Sequence, residues 1–319
     1  MTTIMITGAA GFVGRHVTRE AERHGAGLRL MSHRSALLVP AAAPRPGGHA
    51  AAPAVVRGDL ADPASLRGAC DGVDVLVHCA AQIGGSAERC EAVNARGTAA
   101  LVEEARRAGV SRIVHLSTAS VYGRGTFRGQ RPEELVRRPG SPTSASRAAA
   151  EDAVLAAGGT VLRPHLVYGE GDSWVVPGLA RLLRALPGTV EGWSARTSVI
   201  AVPDLARALV AAALAPAGSL TASVYHAAHP RPVVWNGLLR AVAQCAALPW
   251  PRRDLTARQA RAVLAEHGRP GRELDMLTTD HWFDAAPLWS DLGRDPGPGF
   301  PYHRADFARW YGEGPREAA

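Results

Sequence analysis

The chain opens on a strand and a turn that leave little choice of fold. Residues 3–7, TIMIT, run straight into TGAAGFVG, which puts Gly8, Gly11 and Gly14 between an apolar strand and a helical pattern. Gly8 permits a tight turn, Gly11 lets backbone approach a pyrophosphate, and Gly14 lets the helix sit close to the sheet. Ala10, Phe12 and Val13 fill the same turn, and the helix start offers unpaired N–H groups and a positive dipole end to an anion. A strand–turn–helix of this kind predicts an α/β protein, a doubly wound parallel sheet of Rossmann type that binds a dinucleotide.

The rest of the first half keeps that rhythm. Apolar runs at 28–32, 73–78, 112–117 and 160–164 alternate with helical segments near 12–24, 63–69, 87–108 and 144–157. Residues 38–54 form an Ala/Pro/Gly loop in the second crossover. The expected division is a nucleotide-binding domain over 1–168 and a smaller, mostly helical substrate lobe over 169–319, with some segments returning to the first. Within that lobe the helices at about 236–268 are expected to fold over the cleft as a lid, the lid region reaching to about 285.

Composition narrows the partners. The net charge is +7, but the 36 basic residues are all arginine and are interleaved with acids, so no nucleic-acid-binding patch is expected. No apolar run reaches the ~18 residues of a membrane span, and the best candidate, LARALVAAALAPA, is broken by Arg207. The opening residues lack the basic start and cleavage site of a signal peptide, so a soluble, cytoplasmic protein is expected. Cys70, Cys79, Cys90 and Cys245 show no C-x-x-C pairing, and neither a metal site nor a disulfide framework is implied.

The second strand ends in SHR, where NAD-specific proteins of this type carry an acid for the ribose hydroxyls. His33 and Arg34 stand there instead, and Arg34 is suited to a 2′-phosphate, so NADP(H) is preferred and NAD(H) remains possible. Asp59 and Leu60, in GDLAD, follow the third strand, where a carboxylate can accept from the adenine amino group; the alternative there is a helix cap by Asp62.

Taken in order, TGAAGFVG, GDLAD, VHCAAQ, VNARGT, HLSTASVYG, SPTSASRAAAE, RPHLVYGEGD and VIAVPDLARAL resemble the extended short-chain dehydrogenase/reductases, the NAD-dependent epimerase/dehydratase family, over residues 3–215. The resemblance implies that Gly8, Gly11, Phe12 and Val13 hold the pyrophosphate and that Ala80, Ala81 and Gln82 line the nicotinamide ribose. It implies that Asn94 anchors the helix beneath the site, that Thr118 hydrogen-bonds a substrate carbonyl, and that Pro164 packs on the nicotinamide with His165 facing substrate. Ile83, Gly84, Ser120 and Tyr122 fall where substrate contacts are expected. The family leaves monomer or homodimer open.

At one place the chain departs from the family. The slot that usually reads S-P-Y-x-x-S-K holds Thr143 and Arg147, and none of the five tyrosines is followed by Lys or Arg at the fourth position. An aliphatic hydroxyl is too weak an acid to replace the tyrosine, and arginine is not equivalent to lysine at a tuned site, although Arg147 can still hold ribose hydroxyls. Three readings follow. One is a ketoreductase whose proton comes from the substrate or water, resembling atypical reductases of angucycline-type polyketides in antibiotic biosynthesis, with Thr118, Thr143, Arg147 and His165 around the reacting carbonyl. Another is a nucleotide-sugar ketoreductase or epimerase with a different acid. The last is a non-catalytic NADP(H) sensor. Trp174, Trp193, His281, Trp282 and Phe283 offer ring surface for a bulky aromatic ketone, with core packing as the alternative for each.

Overall fold

The computed structural model describes residues 2–33, 52–269, 271–300 and 304–311. Arg34 and most of the 38–54 loop lie outside them.

Seven strands form the main sheet among the described residues: β1 (Thr3–Thr7), β2 (Gly27–Ser32), β3 (Ala54–Arg57), β4 (Val75–His78), β5 (Arg112–Leu116), β6 (Thr160–Arg163) and β7 (Val224–His226). Their order is β7-β6-β5-β4-β1-β2-β3, and every neighbouring pair is parallel. The order reverses at β1, the switch point where a doubly wound sheet opens a crevice at its C-terminal edge.

Continuous apolar runs suit strands covered on both faces. Ile4 and Ile6 pack with Val17 and Ala21 of helix α1 (Phe12–Arg23), and with Leu205 and Leu209 of the helix Val202–Leu214. Met5 and Leu76, on the opposite face, pack with Leu101 and Val102 of helix α2 (Gly97–Arg107) and Val154 of helix α3 (Pro142–Ala156). The doubly wound fold expected from the opening turn is the one observed.

Two helical expectations change in detail. The segment at 63–69 is a short 3₁₀ turn, Pro63–Leu66, whose start is capped by Asp62 Oδ1 accepting from Ala64 N at 3.2 Å. The helix expected at 87–108 contains a π-helical stretch, Glu91–Arg96, between Ala87–Cys90 and α2. Such insertions re-aim side chains and recur near functional sites.

The remaining chain builds a lobe against the C-terminal edge of the sheet. Its four-stranded sheet runs in the order Val233–Val234, Arg196–Thr197, His281–Phe283, Phe127–Gln130. Helices Val175–Ala185, Trp235–Cys245 and Ala257–Glu266 contribute Leu179, Leu183, Leu238, Val242 and Leu264 to one core around Trp193 and Trp235. Of the helices expected in the lid, Trp235–Cys245 buries Trp235, Leu238, Leu239 and Val242 in that core, and Ala257–Glu266 buries Ala260 and Leu264. The chain also returns to the first core. Leu288 and Trp289 of the helix Ala286–Leu292 pack there, and Tyr311 at the end of the last described helix accepts from Gly169 N at 2.7 Å. Among the described residues no helix is long and apolar enough to cross a membrane.

Candidate functional site

The glycine turn has the shape its spacing predicts. Gly8 is left-handed, with φ +69°, and accepts from Gly11 N at 2.8 Å. A Cβ on Gly14 would stand 2.0 Å from Gly8 O, so only glycine lets α1 lie this close to the turn. Gly11 caps α1 without a side-chain hydrogen bond, and no acid occupies the first turn. The N–H groups there are therefore available to an anion.

A cavity of about 340 Å³ extends from the turn, lined by Gly8, Ala10, Ser32, His33, Asp59, Leu60, Ala80, Ala81 and Gln82. At its far end His33 Nε2 lies 2.9 Å from Asp59 Oδ2, while Asp59 Oδ1 accepts from Ala61 N at 2.9 Å. Arg89 and Val93 also line this cavity. The sequence marks neither as a cavity residue: Arg89 lies on the short helix Ala87–Cys90, and Val93 lies in the π-helical stretch, whose departure from a regular α-helix the sequence does not announce. Buried Asn94 secures the floor. Its Oδ1 accepts from Gln82 N at 2.7 Å, and its Nδ2 donates to Gln82 O and Ser146 Oγ at 3.0 Å each. Thr7 Oγ1 accepts from Cys79 N and Ala80 N at 3.2 Å, tying β1 to the loop after β4. Donors at the helix start, a gap that only glycines leave, and a cleft from turn to Gln82 together fit a dinucleotide.

Beside it lies a second cleft of about 580 Å³, lined by Thr118, Ser120, Arg124, His165, Asp275, Met276, Thr279 and His281. Thr118 Oγ1 accepts from Ser120 N and donates to Ser120 Oγ, both at 3.1 Å. Pro164 O accepts from Ala119 N at 2.8 Å, joining the two loops that frame the cleft. The rings of His165 and His281 stack with centroids 5.5 Å apart and planes 14° apart. Burial pushes the His165 imidazole down to about 3, with His281 and His226 adding to the effect, so the ring is neutral near neutral pH. A neutral ring is no strong acid and offers one N–H and one lone pair. Asp275 and Met276 belong to the helix Arg272–Leu277, which closes one side. Its sequence gave no sign of this, because the contact depends on tertiary packing.

Several expected site residues stand elsewhere. Thr143 is not in the cleft with Thr118: its Oγ1 accepts from Gly84 N at 3.1 Å, with Cys90 Sγ 3.6 Å away. It thus holds the loop that carries Ile83, a residue 61% exposed. Arg147 is buried and donates through Nη2 to Leu116 O, leaving Nε without a partner. Burial lowers its guanidinium to about 10, against the opposing pull of Glu151, and it stays cationic at neutral pH. Tyr122 is 2% exposed and faces inward. Its hydroxyl lies 2.7 Å from His226 Nε2 and accepts from Arg163 Nη1 at 2.7 Å, while Arg163 pairs with fully buried Glu151 through Nε at 2.9 Å and Nη2 at 2.5 Å. That chain of bonds makes Tyr122 part of the scaffold behind the cleft. Trp193 is 0% exposed in the lobe core, and Trp174 is 66% exposed at a helix start outside the cleft. Trp282 covers Gly129, where a Cβ would meet its ring at 2.4 Å, and Phe283 is buried behind the histidine pair. Among the described residues no tyrosine lines the cleft.

The sequence model of the NAD dependent epimerase/dehydratase family matches residues 4–228. The chain is 30% identical over 324 residues to a 2-alkyl-3-oxoalkanoate reductase of Stenotrophomonas maltophilia, covering 92% of this chain and 94% of that protein. It is 29% identical to a 4-hydroxy-2-methyl-3-oxo-4-farnesyl-3,4-dihydroquinoline-1-oxide ketoreductase of Stigmatella aurantiaca, over 65% of this chain and 63% of the relative. Among solved structures, the UDP-glucose 4-epimerase of Thermotoga maritima superposes with a TM-score of 0.73 at 20% identity, covering 97% and 98% of the two chains, and so shares the fold. A glycine turn built for a pyrophosphate, a sheet that reverses beside it, and a family match over most of the length lead to one assignment: the chain belongs to the NAD dependent epimerase/dehydratase family and is an oxidoreductase.

Proposed function

We propose that the protein is an NADPH-dependent ketoreductase that reduces a carbonyl of a polycyclic aromatic polyketide of angucycline type in antibiotic biosynthesis, with the proton supplied by the substrate or by water. One observation carries the reading: a dinucleotide cradle adjoins a cleft of about 580 Å³ whose described lining offers hydroxyls and imidazoles but no phenol. The likeness to a ketoreductase of an oxo-quinoline agrees with a ring-bearing ketone as substrate.

In this reading the turn from Gly8 to Val13 and the first N–H groups of α1 hold the pyrophosphate, while Ala80 to Gln82, steadied by Asn94, border the nicotinamide ribose. His33, together with Arg34 beyond the described residues, favours a 2′-phosphate. When bound, the reduced nicotinamide supplies hydride to the carbonyl carbon. Thr118 donates to Ser120 Oγ and so leaves the Ser120 hydroxyl proton for the carbonyl oxygen. Both hydroxyls orient; neither is acidic enough to protonate an alkoxide. A hydroxyl peri to the ketone has a hydrogen bond to that oxygen already in place and can deliver its proton along it. Positioning then carries most of the catalysis.

The test uses NADPH deuterated at the transferable position, offered with an aromatic keto-polyketide and, separately, with a nucleotide sugar. Deuterium on the carbinol carbon of the polyketide product is expected, with slower turnover from NADH. Deuterium in the sugar instead, or tight NADPH binding without consumption across a panel of ketones, would overturn the proposal.

A further inference from the structure

Arg124 stands on the wall of the second cleft with little to answer its charge. Residues 123–126 join the 3₁₀ turn Ala119–Tyr122 to the strand Phe127–Gln130, and all four line the cleft. The loop is fixed from behind. Arg138 N donates to Val121 O at 2.9 Å, Gly123 has φ +76°, and a Cβ on it would stand 2.1 Å from Arg138 O. On another element of the lining, the helix Arg272–Leu277, Asp275 Oδ2 lies 3.6 Å from Arg124 Nη1, beyond hydrogen-bond reach. Oδ1 of the same carboxylate accepts from Arg261 Nη2 at 2.8 Å, and Arg261 does not line the cleft. Two guanidiniums thus share one carboxylate, and the one on the cleft wall has the longer contact. The Arg124 side chain is 68% exposed, and among the described residues it has no hydrogen-bond acceptor. The other polar side chains of the lining are the hydroxyls of Thr118, Ser120, Thr126 and Thr279 and the two imidazoles.

We propose that Arg124 is a specificity-determining residue that selects ketones carrying a carboxylate, pairing with that group while the carbonyl lies at Ser120, four residues earlier in the chain. The assignment deepens the reading of the cleft as the site of an aromatic ketone and rests on it. A guanidinium stays charged throughout the working pH range and presents parallel N–H donors that match a carboxylate bidentately. A ligand carboxylate would exchange the long contact to Asp275 for a hydrogen-bonded one, and Asp275 keeps Arg261 as its partner. Little is lost in that exchange, because the Arg124–Asp275 pair is largely solvated. The balance of charge favours a singly charged group. A diphosphate would bring two or more negative charges beside Asp275, with Arg124 as the one cation of the described lining.

Binding of unreactive probes tests the assignment apart from turnover. The full-length protein, saturated with NADPH, is titrated by calorimetry with naphthoate, with the uncharged naphthamide and with UDP. Naphthoate should bind about tenfold more tightly than naphthamide, and the difference should shrink in about 1 M salt, where the Debye length is ~3 Å. Arg124→Gln should bring the two within about twofold of each other, and Arg124→Lys, which keeps the charge without the fork, should retain about threefold. Asp275→Asn, which removes the competing carboxylate, should strengthen naphthoate binding by about threefold. Melting curves confirm that each variant is folded; should the glutamine variant fail, the lysine and asparagine variants decide. Equal affinity for naphthoate and naphthamide in the unaltered protein, or a preference that survives Arg124→Gln, overturns the assignment. So does a loss of affinity for both probes alike in Arg124→Gln and Asp275→Asn, which would make the pair a structural latch, or tighter binding of UDP than of naphthoate that Arg124→Gln abolishes. Failure of the unaltered protein to reduce any aromatic ketone, with the naphthoate preference intact, instead overturns the reading of the reaction.

Discussion

At the residue scale the informative pair is Thr143 and Ser120. The frame SPTSASRAAAE marks position 143 as the place where the family keeps its acid, yet the threonine there spends its hydroxyl on Gly84 N. Ser120, two residues past Thr118, takes the hydrogen bond from Thr118 inside the cleft. The two therefore separate experimentally. Thr143→Ala should leave kcat/KM within about twofold, whereas Thr118→Ala combined with Ser120→Ala should lower it about 10²-fold, the scale of losing oriented donors at a developing oxyanion. Steady-state kinetics on one ketone checks both. The glycine turn was legible because its spacing encodes backbone geometry directly. Tyr122 and Trp193 were not, since an aromatic residue serves a core and a pocket equally well until neighbours from distant sequence are known.

Among elements, the helix Val175–Ala185 shows how a lobe with loose sequence rhythm is pinned. Asp172 accepts from Trp174 N, Val175 N and Val176 N, all at 2.8 Å, and also from the Tyr311 hydroxyl at 3.0 Å. One carboxylate thus caps a helix and docks the last described helix. Asp172→Ala should cost about 1–2 kcal/mol of stability, as loss of a helix cap does, measured as a shift in the urea midpoint. The capping role was open to sequence reasoning, because the Asp stands just ahead of an amphipathic run. The short strands of the lobe, such as Arg196–Thr197 and Val233–Val234, were not: two residues carry no period to recognise. The π-helical stretch around Asn94 escaped for a related reason, since its apolar spacing is that of an ordinary helix.

Over the whole molecule the buried histidines set the response to acid. Burial holds His78 and His226 at about 3, helped by nearby Arg147 and Arg163 respectively, although Asp284 pulls His226 the other way. Both rings are therefore neutral when folded and protonate near 6.5 when unfolded. The unfolded chain binds more protons between those limits, so this stability is complete above about pH 6.5 and declines as pH falls toward 3. At pH 5 these two rings and His165, also held at about 3, should each remove about 2 kcal/mol relative to pH 7. Urea denaturation at the two pH values checks it, and an unchanged midpoint would show that the rings find partners on protonation.

The route of the chain between its two cores has a practical meaning for anyone recombining relatives. After β6 it enters the lobe, comes back to lay Val202–Leu214 and β7 on the sheet, leaves again for Trp235–Cys245 and His281–Phe283, and returns with Leu288 and Trp289. The stretches that line the second cleft are thus separate in sequence and are threaded through the part that carries the glycine turn. A chimaera with a single crossover point would cut both cores, and on the proposed reading of the cleft selectivity would move with individual loops, those at 118–126, 165–166 and 275–281 first.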